Sequence, residues 1–327
     1  MKVSVIIPSF NSMAYLPDTL SSVLEQTFTD FEVLIIDDGS SDNIVQWASE
    51  ITDPRVKLIS QKNQGASAAR NAGITQSQAE YIAFLDADDL WAPTKLEKQV
   101  RYLDDNPSIG VVHAWMFFVD KDGNSTGRVI PSSSEGMIWK QLLEKNTIAC
   151  LTVMVRRCCF DKAGLFDCSL RSVEDWDMWI RIAIHYPFAV IEEPLAYYRQ
   201  RPNSKSRNCQ AAEKAFHAVI EKAFEHVSLE VLPLKDRSYG HANLCLAWKA
   251  LQSANTDYKL SLHYRALAIS SYPKLRSSRE YLRLSLAINT LKLLGPNNYK
   301  RLLNQVYALR RALMPPVAAK ELAGSND

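Results

Sequence analysis

Four short apolar runs, Val3–Ile7, Phe31–Ile36, Val56–Ile59 and Tyr81–Leu85, set narrow limits on what the first part of this chain can fold into. Each is bounded by turn residues and rich in β-branched or aromatic side chains, and so reads as a strand, buried at Phe31–Ile36 and Tyr81–Leu85. Helical patterns lie between them. Leu16, Leu20, Val23 and Leu24 recur at i, i+4, i+7 and i+8, with Pro17 tolerable in a first turn, and a second helix is expected around Ile44–Ser49. The segment from Asn63 to Gly73 reads as a loop, a short helix of small residues and a glycine stop. Regular alternation of strand and helix calls for a parallel sheet with helices on both faces.

The polar residues that end these runs point to chemistry. Val3–Ile7 stops at Pro8 and opens into Ser9-Phe10-Asn11-Ser12; Phe31–Ile36 stops at Asp37-Asp38-Gly39-Ser40; Tyr81–Leu85 opens into Asp86-Ala87-Asp88-Asp89. Ligands of such sheets bind outside the carboxyl ends of the strands. Asp37, Asp38, Asp86 and Asp88 all fall there, and four carboxylates on one rim repel unless a cation and a hydroxyl-rich ligand occupy the space between them. In extended chain Asp86 and Asp88 would point to the same side. Hard oxygen ligands at that spacing suit Mg2+ or Mn2+, which usually carries a diphosphate. The competing reading of Asp-Ala-Asp-Asp is a solvated turn capping the next helix.

Beyond about residue 110 the pattern becomes mixed. Pro93 suits a helix start, with Leu96, Val100 and Leu103 on one face. Val111–Asp120 reads as a strand entering a hairpin at Lys121-Asp122-Gly123-Asn124, and Cys150–Val155 as a further strand. Glu174, Asp175 and Asp177 crowd the start of a helix marked by Trp176, Trp179, Ile180 and Ala183, where the helix dipole favours negative charge. Residues 197–206 combine Arg199, Arg201 and Lys205 with hydroxyls, the composition of a loop that closes over phosphates. From Cys209 onward the pattern is helical, with Leu244, Trp248 and Leu251, then Leu262, Leu267 and Ile269, and a break at Pro273. Asn243–Pro273 is similar to one helix-turn-helix repeat of the tetratricopeptide type, without an array.

Composition excludes several classes. With 327 residues, 47% of them hydrophobic, the chain can build a large α/β domain and an appendage. A net charge of +2 gives no signal for nucleic acid. No apolar run approaches the roughly 18 to 20 residues that span a bilayer, and Lys2 leads directly into the first strand, so a cytosolic protein is expected. The six cysteines lack C-x-x-C spacing, which favours reduced core thiols over a zinc site or disulfide frame. Charge is uneven, however: residues 271–320 hold ten Lys and Arg against one acid, Glu280. Lys292, Lys300, Arg301, Arg310 and Arg311, interleaved with leucines, form either an amphipathic basic surface for anionic lipid at the inner face of a membrane or the solvated side of a helical bundle.

Taken together, Val3-Ser4-Val5-Ile6-Ile7-Pro8-Ser9-Phe10-Asn11, Asp37-Asp38-Gly39-Ser40, Gly65-Ala66-Ser67-Ala68-Ala69-Arg70-Asn71, Phe84-Leu85-Asp86-Ala87-Asp88-Asp89, Glu174-Asp175 and Tyr198-Arg199 resemble glycosyltransferase family 2, inverting nucleotide-sugar enzymes of GT-A fold. The resemblance covers roughly residues 2–206. It implies a GT-A nucleotide-binding mixed sheet flanked by helices in residues 1–206, with the nucleotide half at about 1–110 and the acceptor half at about 111–206, and a helical C-terminal region in 207–327. It further implies that Pro8 and Phe10 line the nucleotide pocket, Asp38 hydrogen-bonds the base, Arg70 helps hold the nucleotide, Asp86 meets the ribose or the sugar, Asp88 ligates a divalent cation and Asp175 is the base. The expected reaction moves a sugar from a nucleotide-sugar, UDP-linked in the family's commonest usage, to a saccharide or lipid-linked acceptor for polysaccharide or glycoconjugate assembly. Many relatives carry a His where this chain has Arg201; an arginine cannot ligate a cation but can pair with phosphate, so Arg199 and Arg201 are candidates for a diphosphate clamp.

Three alternatives compete. A sugar-phosphate nucleotidyltransferase would want a Gly-rich, basic phosphate loop after the first strand, and Pro8–Ser12 has neither Gly nor Lys. A dehydrogenase is disfavoured because no G-x-G-x-x-G follows a strand. A catalytically silent nucleotide-sugar binder or scaffold acting through the helical tail is disfavoured by the retention of Asp88 and Asp175.

Overall fold

The computed structural model describes residues 1–201, 209–253 and 257–312. By its contacts the chain forms two compact units. The first is Met1–Ile138 with Thr147–Gln200; the second joins Trp139–Asn146 to the described residues from 201 onward.

In the first unit, β1 (Val3–Ser9), α1 (Leu16–Leu24), β2 (Phe31–Asp37), α2 (Ile44–Ser49), β3 (Val56–Ser60), α3 (Ala66–Gln76) and β4 (Tyr81–Phe84) follow one another. Strands β3, β2, β1 and β4 lie side by side and parallel. After them come β5 (Leu90–Trp91), α4 (Lys95–Asp105), β6 (Val111–Val119) and β7 (Ser125–Ile130). The helix α5 (Trp139–Glu144) belongs to the second unit, and the chain returns with β8 (Met154–Arg156), α6 (Cys158–Ala163), α7 (Glu174–Ala183) and β9 (Phe188–Arg199). Strand β8 runs antiparallel to both β4 and β6, β6 pairs parallel with β9, and β5 closes the order β3-β2-β1-β4-β8-β6-β9-β5 with β7 paired to β6. The sheet is therefore mixed: four parallel strands, then antiparallel β8, then the parallel pair β6 and β9.

Alternation along the strands divides the core between two faces. On one, Val3, Val5 and Ile7 pack with Leu16, Leu20 and Val23 of α1 and Leu96, Val100 and Leu103 of α4. On the other, Ile6 meets α3, and Phe84 packs edge-on against Phe160 and Phe166, with Trp179 beyond Phe166. Pro8 extends β1 beyond the expected stop at Ile7, pairing with Ile36. It is tolerated because the β4 partnership of β1 ends at Ile6, so no strand on that side needs its missing N–H.

Two sequence expectations fail locally. Gly73 does not stop α3, which continues to Gln76; a Cβ there would stand 2.5 Å from Ile6 Cγ2, so this glycine permits close helix–sheet packing. The segment expected as a strand over 150–155 begins as a 3-10 turn, Cys150–Thr152, and only then enters β8. Trp91 Nε1 donates to Leu151 O at 2.8 Å and Gln99 Nε2 to Thr152 O at 2.8 Å, which fixes that turn through its carbonyls.

The second unit gathers α5 with α8 (Cys209–Ala223), α9 (Pro233–Gln252), α10 (Tyr258–Ser271) and α11 (Arg279–Ala312). Arg237 pairs with Glu144 at 3.0 Å and Lys145 with Glu280 at 2.7 Å. Leu244 and Leu251 are buried as their spacing predicts; in α10 the buried positions are Ser261, Tyr264 and Ala268, while Leu267 faces outward. Pro273 opens a 3-10 turn before α11, which bends where Gly295 takes a left-handed φ of 72° ahead of Pro296. None of the six cysteines is in a disulfide.

Candidate active site

The carboxyl ends of β1, β2 and β4 open on one edge of the sheet. Ser9 is in register with Asp37, and the Asp38 N–H donates to Ser9 O at 2.8 Å, so the polar residues after β1 and β2 begin side by side. Asn11 takes a left-handed φ of 50° and accepts from the Ser41 N–H at 2.8 Å, which ties the two loops together and leaves the Phe10 ring at the surface, 40% exposed. Asp38, expected at the nucleotide base, is buried and accepts from Gln61 Nε2, the Gln64 N–H and the Gly65 N–H. It is thereby the anchor of the loop that delivers the chain to α3.

Asp86–Asp89 is a tight turn, closed by the Asp89 N–H donating to Asp86 O at 3.0 Å, instead of the extended segment that simple alternation suggested. Asp86 remains partly exposed and pairs with Arg70 at 2.7 Å. Asp88 is also partly exposed, and its carbonyl accepts from Arg199 Nε at 2.8 Å. Asp89 is buried, with Oδ1 accepting the Arg199 N–H at 2.8 Å.

Arg199 is correspondingly committed. Besides the Asp88 carbonyl, its guanidinium donates to Lys121 O at 2.9 Å and to Asp18 at 3.4 Å, and it lies 5.0 Å from the Tyr15 ring centroid. The residue considered for a phosphate clamp is thus a brace joining the end of β9 to the acidic turn, the β6–β7 hairpin and α1. Arg201 follows it by two residues; the rest of the cationic loop, 202–206, lies outside the described residues.

Opposite the acidic turn, α7 begins at Glu174 and Asp175. Val173, just before them, holds a left-handed φ of 55°, unusual for a β-branched residue and a form of strain that gathers at functional positions. Arg70 is 3% exposed, and its guanidinium spans from Asp86 to Glu174, which it meets at 2.5 Å, above the Phe166 ring. The neighbouring Asn71 exchanges hydrogen bonds with the Phe166 backbone, donating to its carbonyl at 2.8 Å and accepting its N–H at 2.8 Å. Arg70 and Asn71 thus fasten α3 to the loop ahead of α7. Glu174 was legible as an acid at a helix start and as part of the Glu174-Asp175 pair that carries the family resemblance; its pairing with Arg70 had no sequence signal.

Asp175 accepts the Trp176 N–H at 2.8 Å. Loss of solvation, reinforced by the charge of Glu174, pushes its carboxyl up to about 7, against the opposing pull of Arg70 and that backbone hydrogen bond. A carboxylate poised near neutrality is suited to accept a proton. Buried Cys150 is electrostatically linked to Arg70, Asp86 and Asp175, and burial raises its thiol well above the ordinary range. Among the described residues no three metal-binding side chains converge. The donor set that does stand at the sheet edge, a partly exposed Asp88 carboxylate, fits a hard cation whose other ligands are diphosphate and water oxygens.

Comparison with known proteins agrees with this architecture. The family model described as glycosyl transferase family 2 matches residues 4–165. A glycosyltransferase of Rickettsia conorii is 37% identical over 203 residues, 61% of this chain and 33% of that protein. The chain spans about a third of the length of the Rickettsia relatives it matches. TuaG of Bacillus subtilis, a glycosyltransferase named for teichuronic acid biosynthesis, is 34% identical over 227 residues, 67% of this chain and 87% of its own. In structure, the chain is similar to residues 1–349 of S. aureus TarS in complex with UDP-GlcNAc, with a TM-score of 0.55 at 20% identity over 85% of this chain and 91% of that one. It is also similar to the mannosyltransferase PcManGT of Pyrobaculum calidifontis in complex with GDP-Man and Mn2+, with a TM-score of 0.58 at 17% identity over 95% and 86%. Since the matched stretch contains β1 to β4 and the segments that carry Asp38, Arg70, Asp86 and Asp88, and the match to TuaG takes in most of that relative, the chain has the GT-A fold and belongs to glycosyltransferase family 2.

Proposed function

We propose that this glycosyltransferase is an inverting hexosyltransferase that moves a sugar from a nucleoside diphosphate sugar, UDP-linked in the first instance, to a hydroxyl of a saccharide or lipid-linked acceptor. The observation that carries this reading is Asp175: a carboxyl pushed up to about 7, fixed at the start of α7 and joined through Glu174 and Arg70 to the acidic turn after β4. In its ionised form Asp175 takes the proton from the acceptor hydroxyl while that oxygen attacks the anomeric carbon. The new C–O bond forms on the face opposite the bond to the diphosphate, which breaks with its electron pair, and configuration inverts in one displacement. No covalent nucleophile is required.

The remaining residues bind and orient. Phe10 offers an exposed ring on which the base can stack, with Pro8 beneath it in β1 and Asp38 holding the adjoining loop. Asp86 faces the ribose or the sugar, held in place by Arg70. Asp88, with the diphosphate oxygens, would hold a divalent cation, Mn2+ or Mg2+, which when bound neutralises charge on the departing diphosphate. Arg199 contributes through the Asp88 backbone, and Arg201 is placed by sequence to pair with phosphate. A role in polysaccharide or glycoconjugate assembly accords with TuaG's name; among the described residues, no helix is long and apolar enough to cross a membrane.

Thermal stabilisation by UDP, GDP and dTDP, each with and without Mn2+, tests the donor half of the proposal, because a ligand that binds the native state raises Tm by mass action. One nucleotide should shift Tm in the presence of the cation, and Asp88→Ala should lose the shift. No shift with any nucleotide would favour a role through the helical unit instead.

A further inference from the structure

The helix α11 is apolar on two faces, and only one of them is used within its unit. Leu284, Ile288 and Leu291 are buried there. Leu282, Leu286 and Leu293 recur at i, i+4 and i+11, which places them on one outward stripe, and they are 56%, 68% and 84% exposed. Three leucines aligned in water on one helix are a different matter from scattered exposed apolar residues.

Charge identifies what covers the stripe. Lys274, Arg276, Arg279 and Arg283 are all exposed at the start of α11 and in the turn before it, and Lys292 flanks the stripe near its other end, 5.7 Å from the Tyr258 ring centroid. The one acid of this region, Glu280, is neutralised by Lys145. A second copy of the chain would bring cation against cation around the leucines. An anionic lipid surface offers hydrocarbon for the stripe and phosphate for its flanks, the requirement met by helices that lie in the interface of a membrane. Gly295 and Pro296 end the stripe by bending the helix.

We infer that the outer face of α11, built on Leu282, Leu286 and Leu293, is a docking surface for anionic membrane lipid. The inference stands apart from the transfer chemistry, so vesicle binding and sugar transfer can fail separately. A lipid-linked acceptor, if that is the substrate, would be met at the same surface.

The test is co-sedimentation of the full chain with phosphatidylcholine vesicles and with vesicles containing about a third phosphatidylglycerol, beside a measurement of its mass in solution. Binding to the anionic vesicles alone is expected, weakened by salt. The triple variant Leu282→Ser, Leu286→Ser, Leu293→Ser should lose more than about tenfold in partitioning. Because these side chains are exposed, its thermal unfolding should match that of the wild type. Arg276→Gln with Arg279→Gln and Arg283→Gln should weaken binding while leaving the leucines in place. Absence of binding to anionic vesicles, or binding indifferent to both sets of changes, would overturn the inference. So would a dimer that the serine variant dissociates, since the stripe would then belong to a second copy.

Discussion

Arg70 meets Glu174 at 2.5 Å across 104 residues of sequence while its other terminal nitrogen holds Asp86 at 2.7 Å. One buried cation thus connects the turn proposed to face the donor with the helix start that carries the proposed base. Burial of the guanidinium costs solvation, and the two carboxylates offset that cost, so the three residues hold their arrangement as a unit.

This arrangement sets the charge around Asp175, and the two partners act on it with opposite sign. Glu174 raises the Asp175 pKa and Arg70 lowers it. With Asp175 as base, the ascending limb of kcat/KM against pH should lie near 7. Glu174→Gln should move the limb to lower pH and Arg70→Gln to higher pH. Shifts in the same direction would show that both changes act only by loosening the loop.

Asp175→Asn should separate stability from activity. The folded-state pKa of Asp175, about 7, lies above the ordinary 3.8, so the folded state holds this proton more tightly than the unfolded one. The penalty for ionising it is absent below pH 4, grows between pH 4 and 7, and is complete above 7, where it amounts to on the order of 4 kcal/mol. The amide carries no such penalty. The variant should therefore melt higher than the wild type at pH 8 and close to it at pH 4, while turnover falls by about a hundredfold to ten-thousandfold. Calorimetry at the two pH values checks the first part.

Gly73→Ala should destabilise by about 1–3 kcal/mol through overpacking, since its methyl would collide with Ile6. Ile6→Ala removes the colliding atoms. In the double variant the two losses should therefore sum to less than their separate values, a coupling that denaturant melts would read.

Arg199→Ala should cost about 2–4 kcal/mol by leaving the Asp88 and Lys121 carbonyls without their donor. It should also weaken cation-dependent nucleotide stabilisation, although Arg199 need touch neither ligand. Arg199→Lys, which keeps the charge but loses the planar fork, should recover only part of either effect.

The contrast between what could and could not be read from the sequence follows from range. Apolar runs reported β1, β2 and β4 because their burial on both faces leaves a local signature, the half-buried β3 was read from Val56, Leu58 and Ile59, and the helix at Glu174 was marked by Trp176, Trp179 and Ile180 on its inner side. The carboxylates at strand ends could be named because the fold rule for such sheets places them. Their partners could not: Arg70 with Glu174 and Arg199 with Asp89 join residues 104 and 110 apart, and no local pattern encodes such contacts. Gly73 looked like a helix stop because a glycine's local preference is the same whether it ends a helix or admits a neighbour, and only the position of Ile6 distinguishes the two.

The most direct test of the central claim is release of nucleoside diphosphate from a panel of UDP-, GDP- and dTDP-sugars by the wild type and Asp175→Asn, with nucleotide binding measured on both. The account predicts release from one donor class by the wild type, its loss in the variant by a hundredfold or more, about the contribution of a general base, and unchanged nucleotide binding. Equal release by the two proteins would contradict it, because Asp175 would then not be the base of the reaction.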